Sequence, residues 1–171
     1  SHPEKDRLLA DLTRQTDAIR ADARQLWGGA DGWVDRAIAD LWHAGGEHAL
    51  AVETLTSATA AYKAVDDAAG VATCLATRAD WLLAPLGGAM VRNLCIAESA
   101  FTTSELDWAV ENAEGGTTPS PHAAEAAALF DEAQALYEQA GSSRGAAAVV
   151  LRRAYLARLE GRPEQSIGLA E

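Results

Sequence analysis

The sequence predicts an all-α protein made of antiparallel helical hairpins stacked in series. Three observations carry this expectation. Apolar residues recur at spacings of three and four along most of the 171 residues, and no stretch shows the two-residue alternation of a half-buried strand. Clusters of turn residues, mostly glycine and proline, interrupt these stretches roughly every 15 to 22 residues, which suits short connections between antiparallel helices. Finally, one pattern occurs twice. Leu55-x2-Ala58-x-Ala60-x-Tyr62 followed by Gly70-x-Ala72-x5-Arg78-Ala79 returns 75 residues later as Phe130-x2-Ala133-x-Ala135-x-Tyr137 followed by Gly145-x-Ala147-x5-Arg153-Ala154. That gap is close to twice about 38, within the period range of two-helix repeats.

In chain order, residues 4 to 27 carry Leu8, Leu9, Leu12, Ile19, Ala23 and Leu26 at helical spacing, with acids and arginines alternating elsewhere. The cluster Gly28-Gly29-Ala30-Asp31-Gly32 ends this helix. It is no phosphate loop, because neither a Lys-Ser or Lys-Thr pair nor a preceding strand accompanies it. A helix from Asp31 to Ala44 turns Val34, Ile38, Leu41 and Trp42 inward, and Gly45-Gly46 breaks it. The next runs from Glu47 to Val65, with Leu50, Leu55, Ala58 and Tyr62 inward. Asp66-Asp67 leads into a helix from Ala69 to Ala84, closed by Pro85, Gly87 and Gly88. Met90 to Phe101 and Glu105 to Glu114 read as two helices, and the pattern also fits one helix from Met90 to Glu114. Residues 115–121 hold two glycines and two prolines and no large apolar residue, so they read as a loop. Pro121 stands at a first helical position, and that helix runs to Ala140, ahead of Gly141. Ser143 to Glu160 forms the next, and Pro163 opens a last one.

Charge and composition exclude several functions. A net charge of −11 opposes non-specific nucleic-acid binding. The longest apolar run, Ala146 to Leu151, is far too short to span a bilayer. No direct nucleic acid and no membrane is therefore expected as a partner. Cys74 and Cys95 make no disulfide framework and read as buried thiols of a reducing cytoplasm. No basic-then-apolar secretory start is visible. Arginine outnumbers lysine twelve to two, which points to a GC-rich bacterial genome. The charge is unevenly spread. Asn93 to Ser143 holds nine acids and no Lys or Arg, and then Arg144, Arg152, Arg153, Arg158 and Arg162 follow with only Glu160 among them.

From Leu151 to Ser166 the sequence resembles a tetratricopeptide repeat (TPR). Ala154, Gly161 and Ser166 match that family's small residue in the first helix, its turn glycine and the small residue opening its second helix. Ala39, Gly46 and Ala51 fit the same frame, followed by Leu55 and Ala58 in the large and small positions. Ala79 fits the next unit, and Ala126, Phe130 and Ala133 fit the second helix of a third. Leu86 stands where the second unit would have its turn glycine, and the family's early tryptophan is absent. The resemblance implies a right-handed superhelix of hairpins at 31–65, 69–101, 104–140 and 143–171, with residues 1–30 as a packing or capping helix. It places Ala39, Ala51, Ala58, Ala79, Ala126, Ala133 and Ala154 at helix–helix contacts.

No constellation points to catalysis or to a cofactor. His43, Glu47 and His48 are close in sequence, but Gly45-Gly46 breaks the helix between them, so they read as turn residues and not as metal ligands. Glu98, Glu105, Asp107, Glu111 and Glu114 read as a solvated face. No serine stands in a nucleophile-elbow context. The chain is thus expected to be non-enzymatic. The resemblance implies a scaffold that binds a protein or peptide, the alternative being a sensor that takes a small ligand or peptide inside the superhelix. The end of the chain inside a helix reads as a segment of a larger bacterial regulatory or signalling protein, and self-association is a further option. The resemblance places groove residues at fixed phase to each central alanine. These are Trp33, Arg36, Asp40 and His43 around Ala39, Thr73, Thr77 and Asp80 around Ala79, and Arg152, Tyr155 and Arg158 around Ala154. The arginines and Tyr155 imply a partner with acidic and aromatic or aliphatic residues. Truncating Arg152, Tyr155 and Arg158 together is expected to weaken binding while the fold survives.

Overall fold

The computed structural model describes residues 3–27, 32–87, 121–162 and 164–165. Among them are six helices and no strand: α1 (Pro3–Trp27), α2 (Gly32–Ala44), α3 (His48–Ala64), α4 (Ala68–Gly87), α5 (Pro121–Gln139) and α6 (Ser143–Leu159). None of the described helices is long and apolar enough to cross a membrane. The chain forms two compact units, Ser1–Asp66 with α1 to α3 and Asp67–Glu171 with α4 to α6. The helices expected at Met90–Phe101 and Glu105–Glu114, the 115–121 loop up to Pro121, Cys95, and all but a fragment of the helix from Pro163 lie outside the described residues.

Each helix begins within one residue of its sequence-based boundary. The one late end is that of α4, which passes Pro85 and stops at Gly87. A proline in the last turn forfeits only the bond from its own nitrogen, so the helix can run past it. The turns explain why the other ends are legible. At the end of α5 the Gly141 amide donates to the Glu138 carbonyl at 3.0 Å, and the Ser142 amide donates to the Tyr137 carbonyl at 2.8 Å. This pair of bonds satisfies the last carbonyls and requires the left-handed conformation at Gly141, where φ is +68°. The same two bonds recur at Gly46 and at Gly161. Asp66 takes that conformation between α3 and α4, with φ +57°. Asp67 then receives the Gly70 amide on its carboxylate at 2.8 Å, and Ser142 receives the Gly145 amide on its hydroxyl, each covering an orphan donor of the helix that follows.

In the first unit α2 and α3 form an antiparallel hairpin. Val34, Ile38, Ala39 and Trp42 of α2 and Ala51, Leu55 and Ala58 of α3 are its buried apolar residues. Asp35 is buried among them. Its carboxylate accepts from Arg20 Nε at 2.5 Å and from the Ser57 hydroxyl at 2.8 Å, so one side chain ties all three helices together. Burial works against the Arg20 charge, but the hydrogen bonds and charges of Asp35 and Asp17 outweigh it and hold the guanidinium above its ordinary range. Two expectations are corrected here. Leu41 points outward and not into the core, being 67% exposed. The apolar stripe of α1 is only in part its packing face, because Ala23 is buried and Leu9 half-buried beside the buried Thr16, while Leu8, Leu12 and Ile19 are exposed. Arg20, which bonds Asp35, lies on the same side of α1 as Thr16 and Ala23.

In the second unit α4 packs along α5, α5 against α6, and α4 more briefly against α6. Ala72, Ala76, Ala79 and Leu83 of α4 meet Ala126, Phe130, Ala133 and Tyr137 of α5, with Val149, Tyr155 and Leu156 from α6. Phe130 and Leu83 are fully enclosed. All seven alanines named from the sequence are buried. The two tyrosines of the repeated pattern show how the helices correspond. A Cβ on Gly32, the first residue of α2, would come within 2.9 Å of the Tyr62 ring. The Tyr137 hydroxyl shares a 2.8 Å hydrogen bond with Thr73 near the start of α4. Among the described helices α5 thus stands to α4 as α3 stands to α2, although residues 88–120 separate the pair in sequence. The Tyr137 ring also lies over Gly145 of α6, where an added Cβ would sit 2.4 Å from the ring.

Gly145→Ala should therefore destabilise the protein by about 1–3 kcal/mol, because the methyl group meets a ring held on two sides. In a Tyr137→Ala background the same change should be neutral, or stabilising by up to about 1 kcal/mol, since alanine is the better helix former. A double-mutant cycle by urea denaturation measures the difference. An equal cost in both backgrounds would show that the ring does not rest on that glycine.

Candidate partner-binding surface

The ten residues selected from the sequence fall into two groups of different character. Trp33, Arg36, Asp40 and His43 lie along one side of α2, at spacings of three, four and three. Trp33 is 46% exposed. Arg36 and Asp40 form an i,i+4 ion pair at 3.5 Å, both half-buried. His43, in the last turn, brings its Nδ1 within 3.2 Å of His48 Nδ1 at the start of α3. Ala37, Leu41 and Ala44 are exposed on the same outer side of the helix. Together they give α2 an outward strip with a tryptophan near one end, a leucine further along and a charged pair beside them.

The signal for Leu41 was present in the sequence. It lies two residues from Ala39, which puts it about 200° around the helix from that buried contact. Its apolar character argued for the core, but its phase was the better guide. Val52 of α3 and Leu8, Leu12 and Ile19 of α1 are further exposed apolar residues of this unit.

The residues selected from α4 and α6 are placed differently. Thr73 donates to the Ala69 carbonyl or shares its hydroxyl with Tyr137, and Thr77 is half-buried. Asp80 and Arg152 are buried, and Arg152 Nε lies 3.1 and 3.0 Å from the two Asp80 carboxylate oxygens. Arg152 Nη1 also donates to the Ala148 carbonyl at 3.2 Å. Tyr155 is buried, and the loss of water holds its phenol above the ordinary value of 10.0. Arg158 is half-buried. The expected outward band of Arg152, Tyr155 and Arg158 is therefore corrected. From 152 to 157 every residue of α6 but Arg153 is buried, so here the helix has no open face from which a phase rule could select. The triple truncation would remove a buried ion pair and a core aromatic, and would test folding before recognition.

The run of arginines after Ser143 is also partly answered from within the unit. Arg153 reaches Asp131 at 3.1 Å and Gln134 at 2.6 Å, both on α5. Arg78 of α4 reaches Glu125 of α5 at 2.9 Å. Acids of the arginine-free stretch thus meet arginines of the neighbouring helices. Among the described residues no group of three or more His, Cys, Asp and Glu side chains could hold a metal ion.

No family model matches the sequence, and none of the curated proteins or solved structures compared with it matches either.

Two measurements follow from the burial of α6. Arg152→Ala should cost about 3–5 kcal/mol in urea denaturation, because it strands the Asp80 carboxylate without its partner, whereas Asp80→Leu combined with Arg152→Met should recover most of that loss. A surface-like cost below about 0.5 kcal/mol for the single change would contradict the buried pair. The folded chain also holds the Tyr155 proton more tightly than the unfolded chain does. It therefore binds more protons when folded, and stability should fall as pH rises above the ordinary phenol value of 10.0. Tyr155→Phe should lessen that alkaline loss.

Proposed function

We propose that this chain is a non-enzymatic, TPR-like helical repeat module that binds a protein or peptide partner on the outward side of α2. In this reading the hairpins stack as a superhelix in a cytoplasmic protein, as part of a larger bacterial regulatory or signalling chain. The observation that carries the binding surface is the exposure of Trp33 and Leu41 on one helix. A large indole and a leucine held outward on a rigid helix, with small Ala37 and Ala44 between and beyond them, offer what binding hot spots need: apolar anchors with low ordering cost. The half-buried Arg36–Asp40 pair beside them gives the strip a polar edge.

The partner best suited to this strip carries large apolar or aromatic side chains at the spacing of a helix or an extended segment. The expectation of an acidic partner is not carried forward, because it rested on Arg152 and Arg158, and Arg152 is committed to Asp80.

A display library of short peptides, panned against the purified chain, tests this reading. Enriched peptides should share large apolar anchors, and Trp33→Ala and Leu41→Ala should each weaken them at least about tenfold, or about 1.4 kcal/mol. Both positions are exposed, so both variants should keep wild-type helicity and melting. Peptides that bind both variants as tightly as the wild type would overturn the assignment. So would sedimentation showing that a second copy of the chain covers this strip.

A further inference from the structure

We propose that His43 and His48 chelate a first-row divalent transition cation of the imidazole-preferring class, Cu2+, Ni2+ or Zn2+, across the turn between α2 and α3. The site is independent of the α2 docking strip and would stand if that reading failed.

The backbone makes the pair. His43 occupies the last turn of α2 and His48 is the first residue of α3. Between them the Gly46 amide donates to the His43 carbonyl at 3.0 Å and the Glu47 amide to the Trp42 carbonyl at 2.9 Å. These bonds close the turn tightly. The glycine break that separates the two histidines in a linear reading is thus what folds them together.

The ring geometry brings two ligand nitrogens together within reach of one ion. The Nδ1 atoms are 3.2 Å apart, the ring centroids 5.0 Å apart, and the planes are tilted by 58°. Two nitrogens each about 2.0–2.1 Å from one ion and separated by this distance subtend an angle of roughly 100° at the ion, between the square-planar and tetrahedral values. Beyond the protons, each ring must turn by roughly 40°, so that its Nδ1 lone pair leaves the N–N line and points at the ion. Without a metal, one Nδ1–H donates to the other Nδ1. With a metal, that ring moves its proton to Nε2 and both Nδ1 lone pairs face the ion. His48 is exposed, so the ion can reach the pair from solvent. Among the described residues no group of three or more His, Cys, Asp and Glu side chains could hold the ion, so water completes the coordination. Two imidazoles without carboxylates select against Mg2+ and Ca2+, and affinity should follow the order Cu2+ over Ni2+ and Zn2+.

Calorimetric titration of the whole chain at neutral pH with each of the three ions, and with Mg2+ as control, tests the proposal. The variants are His43→Ala, His48→Ala and the double change His2→Ala with His122→Ala, which removes the other two histidines. The wild type and the His2/His122 variant should bind a single ion saturably, and each ion should raise their melting temperature. His43→Ala and His48→Ala should lose both effects while keeping wild-type helicity. Binding should also weaken at acid pH, since protonated imidazole is no ligand. The proposal is overturned if His48→Ala binds as the wild type does, if binding disappears with His2 and His122, or if the wild type shows no saturable binding with the ion in large excess. In that last case the pair is a hydrogen-bonded turn closure only.

Discussion

The close approach of helices at buried alanines is the constraint on which the rest of this structure depends. Ala39, Ala51, Ala58, Ala79, Ala126, Ala133 and Ala154 are all buried. A methyl group at the contact lets helix axes come to the near end of the ordinary packing range, about 8 Å. Larger residues, Leu55 with Ile38 and Trp42 in one hairpin and Phe130 with Leu83 in the other unit, are buried beside these alanines. The tyrosine at the end of the pattern can lie flat only where the facing backbone has no side chain, which is the role of Gly32 and Gly145. The two copies differ in which neighbour supplies the glycine: Gly32 lies on the helix before Tyr62, and Gly145 on the helix after Tyr137.

This constraint also explains what was legible in the sequence. Helix starts were readable because the turns rely on local chemistry: a left-handed residue closes α2, α3 and α5, and Asp67 and Ser142 cap the starts of α4 and α6. The buried alanines were readable because their spacing repeats. Arg152, Tyr155 and Asp80 were not, because burial around the whole circumference of α6 depends on neighbours far away in the chain. A charged residue in the middle of a helix reads as surface unless its partner, here 72 positions away, is known. The α1 stripe misled for a related reason. Periodicity identifies an apolar stripe, but Leu9 and Ala23 of that stripe share the side from which Arg20 reaches Asp35, while Leu8, Leu12 and Ile19 stay exposed. The pairing of α4 with α5 was hidden too, since the repeated pattern fixes the distance between like helices and not which helix stands beside which.

Much of the charge visible in the sequence is spent on internal contacts. Arg20 with Asp35, Arg152 with Asp80, Arg153 with Asp131 and Arg78 with Glu125 each join two helices of one unit. Arg152–Asp80 is buried on both sides, and the Asp35 end of the Arg20 pair is buried; a buried pair is costly to break but adds little net stability over an apolar replacement. The alanines are committed to contacts and these arginines to acids, whereas Trp33 and Leu41 of α2 are large apolar residues left substantially exposed. That is the physical basis for assigning recognition to Trp33 and Leu41 and not to the charged run of α6.

The repeated pattern contains its own control, because each copy has one buried and one exposed alanine two residues apart. Urea denaturation of Ala58→Leu and Ala133→Leu, beside Ala60→Leu and Ala135→Leu, tests the constraint most directly. The account predicts a loss of about 1–3 kcal/mol for the first two, from overpacking a close helix contact, and a change within about 0.5 kcal/mol for the exposed pair. Equal effects at buried and exposed positions would mean that alanine contacts do not set the helix spacing, and would contradict the account.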